Sequence, residues 1–156
     1  MGNIKKILAP TDFSELSQVG VRYALEMAKS LAAEVIVYHV IGVTEEWLAS
    51  HDDFFSLKEL LAERKRDLSD FLRENFADII SQVTIHREVE VGVPYKMIVE
   101  KAKERADIIV MSTHGKSGLP RMIIGSVTEK VVRWSPCPVL SVRPATETNR
   151  AEVAVA

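Results

Sequence analysis

Apolar positions along the chain alternate between two rhythms, one with a period of two and one near 3.6. Residues 4–10 form a short apolar run that ends at Pro10 and opens into a Thr11-Asp12-Phe13-Ser14 turn. From about 15 to 33, Leu16, Val19, Tyr23, Met27 and Leu31 recur at helical spacing as one apolar stripe. Ser14 is placed to cap that helix, because its hydroxyl can accept a first-turn N–H. Residues 34–40 are nearly continuously apolar and β-branched, the pattern of a strand covered on both faces. Residues 41–53 read as loop. From about 55 to 79, Leu57, Leu60, Leu61, Leu68, Phe71, Leu72 and Phe76 predict a long amphipathic helix.

The next strand, 83–91, has a different character. Val83, Ile85, Val89 and Val91 alternate with Thr84, His86, Glu88 and Glu90, with Arg87 in the apolar phase. One solvated face is expected, and with it a place near the edge of the sheet. Gly92 and Pro94 precede a shorter helix at about 95–105, and residues 107–112 form another buried-type strand. Residues 126–134 read as a last helix, Pro138–Val142 as a last strand, and 145–156 as a poorly ordered tail. A single domain over 1–144 follows. Strict alternation of strand and helix predicts an α/β fold, a five-stranded parallel sheet with helices on both faces. The strand orders 3-2-1-4-5 and 2-1-3-4-5 both suit such a chain, and the polar-faced third strand favours the first, where it lies at the edge. The sheet then reverses between its first and fourth strands, and ligands in such folds sit outside the carboxyl ends of the strands at the reversal. Pro10-Thr11-Asp12 and the segment from Met111 to Gly118 fall there.

Composition narrows the function classes. A net charge of −2 lacks the basic excess of a nucleic-acid binder, and no nucleic-acid partner is expected. No apolar run approaches the roughly 18 residues of a membrane span, and the N-terminus has no signal-peptide pattern. Met1-Gly2 is followed by Lys at position 6, where a myristoylation motif requires Ser or Thr. One cysteine, Cys137, fits a reducing compartment, so a cytoplasmic protein with no membrane partner is expected.

The candidate chemistry lies in residues 112–128. Gly115 and Gly118 allow close backbone approach to a ligand. Gly125-Ser126 opens a helix whose free N–H groups attract anions, and Ser126 and Thr128 add hydroxyls there. The same residues also fit a plain tight loop with Ser126 as a cap. Gly115-Lys116-Ser117 imitates the end of a phosphate-binding P-loop, but the first glycine of that motif falls on Val110. His114 is a candidate phosphate donor, and Lys116 and Arg121 add positive charge nearby. His39, His51 and His86 lack metal-ligand spacing, and Cys137 reads as a packing residue.

Three stretches together carry a family resemblance: Ile7-Leu8-Ala9-Pro10-Thr11-Asp12-Phe13-Ser14, the segment Met111 to Gly118 with Gly125 to Val131, and Pro136-Cys137-Pro138-Val139-Leu140. The chain resembles the universal stress protein family, from Ile4 to about Pro144. ATP-binding members carry Gly, two residues, Gly, nine residues, then Gly followed by Ser or Thr. Gly115, Gly125 and Ser126 fit that pattern, and Ser112 stands where its first glycine falls. The resemblance implies a Rossmann-like fold of the adenine nucleotide alpha hydrolase kind, with ATP as cofactor and Mg2+ or Mn2+ bound through its phosphates. It implies that Asp12, beside Pro10 and Thr11, hydrogen-bonds the nucleoside, where the sequence alone equally fits a helix cap. The main chain of Val40 would contact adenine, although ordinary core packing also suits that residue. Met111 and Ser112 would line the nucleoside, and Gly115, Gly125, Ser126, Val127 and Thr128 would hold phosphates. Lowered affinity is the expectation that goes with Ser112. A regulatory ATP-binding protein is the leading reading, with a slow ATP hydrolase or a non-binding interaction protein as alternatives. The last strand, at an unpaired edge, predicts a homodimer.

Overall fold

The computed structural model describes residues 2–50, 54–113 and 125–145. Among them five strands, β1 (Lys6–Pro10), β2 (Glu34–Gly42), β3 (Ile85–Gly92), β4 (Ile108–Ser112) and β5 (Val139–Val142), pair in parallel in the order β3-β2-β1-β4-β5. The helices are α1 (Glu15–Leu31), α2 (Glu45–Ser50), α3 (Phe54–Phe76), α4 (Pro94–Arg105) and α5 (Ser126–Trp134). This is the predicted α/β architecture and the predicted strand order.

Two apolar layers hold the sheet. Ile7, Ala9, Val35, Val37, Val89, Ile108 and Val110 face α1 and α3, meeting Val21, Leu25, Leu68, Leu72 and Phe76. Their neighbours Leu8, Ile36, Tyr38, Ile109 and Met111 face Ile98 and Ala102 of α4 and Val131 of α5. Period-two alternation in β1, β2 and β4 therefore feeds both layers, which is why these strands read as continuous apolar runs.

Helix ends follow local chemistry. Ser14 caps α1, its Oγ accepting from Ser17 N at 3.1 Å. Ala32, with φ 52°, closes the helix in the left-handed region, and its N–H reaches Ala28 O. Pro94 begins α4, where a missing N–H costs nothing. Two readings of the sequence need correction. Residues 41–53 are not all loop: β2 runs on to Gly42 and α2 follows at once. Thr44 Oγ1 accepts from Trp47 N (3.2 Å), and Glu45 and Glu46 complement the dipole of that first turn. The long helix stops at Phe76, with a 3₁₀ turn over Ile80–Gln82 before β3.

The polar face of β3 is at the edge, as expected, but it is not simply solvated. Lys101 of α4, 9% exposed, lies between Glu88 (2.8 Å) and Glu90 (3.0 Å). Arg105 joins Glu88, and the buried Tyr38 hydroxyl donates to Glu90. Burial first, then the Glu90 hydrogen bond, raise the Tyr38 hydroxyl far above its ordinary pKa. The covering helix thus turns a polar strand face into an ion network. Replacing Lys101 by Ala should leave two carboxylates facing each other and cost about 2 kcal/mol, measured by urea unfolding.

Candidate functional site

A proline sets the site. Thr11 N donates to Tyr38 O (2.9 Å), so odd residues of β1 face β2 and even ones face β4. Pro10 occupies the phase facing β4 and has no N–H to donate. Pairing of β1 with β4 ends at Leu8 opposite Ile109, while β4 continues beside β5 to Ser112. The two strands part at the predicted reversal, and a cleft of about 260 Å³ opens there.

One wall of the cleft is the end of β2. Val35 and Val43 direct their N–H groups to Thr84 and Gly92 beside β3, so even residues of β2 turn toward β1. The β1 ladder stops at Pro10 opposite Tyr38. Val40, two residues further, turns its main-chain N–H and C=O toward the cleft, with no strand beside them among the described residues. A donor and an acceptor spaced as on a peptide edge match the hydrogen-bonding edge of a planar base.

The turn after β1 supplies the second wall. Thr11 Oγ1 accepts from Phe13 N (3.0 Å) and pairs with Ser17 Oγ (2.8 Å). Asp12 is exposed at the mouth, and its Oδ1 accepts from Ser14 N (3.0 Å) and Ser14 Oγ. Partial burial opposes its ionisation, but the Ser14 hydrogen bonds outweigh it and hold the carboxyl below its ordinary value. Asp12 is therefore not the helix cap; Ser14 is. Phe13 sits at φ 66°, strained for a bulky side chain. Its ring stacks on His39 at 4.2 Å and meets Phe71 edge-on at 5.5 Å. The buried His39 donates from Nδ1 to Thr11 O at 2.8 Å, which fixes the protonated nitrogen.

The third wall is β4 and α5. Gly125 is the N-cap of α5 and contributes no side-chain cap, so among the described residues the first-turn N–H groups of Ser126, Val127 and Thr128 have no capping partner where they line the cleft. Thr128, 6% exposed, reaches Ser112 O at a long 3.4 Å. Ser112 Oγ accepts instead from Gly20 N of α1 at 2.7 Å.

The structure thus gathers Pro10, Thr11, Asp12, Val40, Met111, Ser112, Gly125, Ser126, Val127 and Thr128 around one cleft. His114, Gly115, Lys116, Gly118 and Arg121 lie outside the described residues. Ser14, Leu16, Ser17, Tyr38, Pro94 and Ile98 also line the cleft. Tyr38 shares the face of Val40 by strand alternation and could have been read from the sequence. Pro94 and Ile98 could not, since only packing brings α4 over the strand ends.

Residues 3–143 match the Universal stress protein family. The chain belongs to that family. Two relatives from Methanocaldococcus jannaschii agree. Universal stress protein MJ0531 is 38% identical over 141 residues, covering 89% of this chain and 82% of the relative. Universal stress protein MJ0577 is 35% identical over 156 residues, covering 89% and 94%. The solved structure of MJ0577 superposes with a TM-score of 0.67, covering 94% of this chain and all of that one. A universal stress protein solved in complex with cAMP, 24% identical, shares the fold with a TM-score of 0.67, covering 92% and 100%.

His39 makes the turn of this universal stress protein acid-sensitive. Burial lowers its pKa, only partly opposed by the bond to Thr11; Arg64 pushes the same way and Asp12 and Asp67 the other. Below the ordinary value of 6.5 the unfolded chain takes up the proton first, so stability present above that value is lost as pH falls. The urea midpoint should drop as pH falls below 6.5, and the drop should shrink in His39→Gln.

Proposed function

We propose that this protein is a regulatory ATP-binding protein, with the nucleotide held in the cleft between β1 and β4. The observation that carries the reading is the cleft's two-ended chemistry. At one end the main-chain edge of Val40 suits adenine, and at the other the first-turn N–H groups of Ser126, Val127 and Thr128 suit phosphate. Asp12 stands between them as an ionised acceptor for the ribose hydroxyls. Met111 and Ser112 face it across the cleft. Mg2+ or Mn2+ would arrive on the phosphates, whose oxygens suit a hard divalent cation. His114 and Gly115 belong to the same proposal as phosphate contacts. The free Cys137 fits a reducing cytoplasm. No described helix is long and apolar enough to cross a membrane.

Titration calorimetry with ATP and Mg2+ tests the reading. Binding is expected at or below millimolar nucleotide, weakened about tenfold in Asp12→Asn by loss of the charged acceptor. Absence of heat at millimolar ATP would sink it.

The proposal includes a homodimer through β5. That strand pairs only with β4 among the described residues, leaving an edge, and Val132 (49% exposed) and Trp134 (63%) of the neighbouring α5 present apolar surface. Light scattering should give twice the chain mass of 17.4 kDa; a monomer would contradict it.

A further inference from the structure

Ser112 stands at the end of β4, on the nucleotide cleft, where a side chain in place of a glycine threatens to fill ligand space. Its hydroxyl goes elsewhere. Oγ accepts from Gly20 N at 2.7 Å, and Gly20, buried in α1, does not line the cleft. The fit is tight in both directions. A Cβ on Gly20 would stand 2.8 Å from Ser112 N, 2.8 Å from Ser112 Oγ and 3.1 Å from Met111 C. The serine therefore occupies a socket that exists only because position 20 is glycine. Leu16 and Ser17, which do line the cleft, lie one turn before Gly20 on the same helix.

We propose that Ser112 is a positioning residue, with Gly20 as its socket: together they clamp α1 onto the end of β4 and set the width of the nucleoside end of the cleft, while the serine side chain stays out of it. The inference rests on the nucleotide-binding reading for its functional half. It reverses the expectation that Ser112 lowers affinity.

The experiment measures ATP affinity by calorimetry and the thermal midpoint for four variants. Ser112→Gly should bind ATP no more tightly than wild type, and roughly three- to tenfold more weakly, because a hydrogen bond that orders the wall is lost. Ser112→Ala should lower the midpoint by about 2–4 °C. Gly20→Ala should weaken ATP at least about tenfold, the new methyl pushing α1 off β4. Arg22→Ala is the control. It breaks the Arg22–Asp78 pair (2.7 Å) on another face of α1, and should lower the midpoint without moving ATP affinity. Tighter binding by Ser112→Gly would overturn the proposal, as would equal affinity losses in Gly20→Ala and Arg22→Ala. If the wild type binds no ATP, the functional reading fails and the clamp is judged alone. An unchanged midpoint in Ser112→Ala, with a raised one in Gly20→Ala, would then refute it, since alanine stabilises an uncrowded helix.

Discussion

The missing N–H of Pro10 governs the site. A parallel ladder continues only while each strand offers donors to its neighbour, and β1 stops doing so toward β4 at Pro10. Because β1 lies at the centre of the sheet, its early end exposes two flanking strands at once. Val40 of β2 runs past it on one side, and Met111 and Ser112 of β4 on the other. The crevice is thus a consequence of strand length as much as of topology.

The turn that leaves β1 has to be held open against its own preferences. Phe13 in a left-handed conformation costs on the order of 1–3 kcal/mol. The surroundings offset this in two ways. Ring contacts with His39 and Phe71 bury the side chain, and hydrogen bonds from His39 to Thr11 O and from Phe13 N to Thr11 Oγ1 bind the backbone. Asp12 is thereby presented at the mouth of the cleft with its Oδ1 anchored to Ser14. The same turn begins α1, so the orientation of that helix, the acidic side chain and the end of β4 are mechanically joined through Gly20 and Ser112.

Away from the cleft, α4 does two things. Ile98 and Ala102 close the second apolar layer, while Lys101 and Arg105 gather the carboxylates of β3. The edge strand is in this way covered on its polar face, which suits its role as a protected edge. At the other edge β5 pairs only with β4 among the described residues, while Leu140 and Val142 pack against the α1 layer.

Much of this was written locally. The alternation of strand and helical periods determined the α/β class, the polar phase of 84–90 placed β3 at the edge, and Ser14 announced the cap of α1. Pro10, Asp12 and Gly125-Ser126 marked the cleft because each departs from what a strand or helix interior tolerates. The short α2 escaped notice, since six residues carry too little period to register. What the tertiary structure alone decided were relations between distant residues: the turn of Val40's main chain toward the cleft, Pro94 and Ile98 over the cleft, and Ser112 in the space left by Gly20. Hydrogen-bond direction and the clearance for one methyl group depend on how two elements meet, and no single segment's composition contains that information.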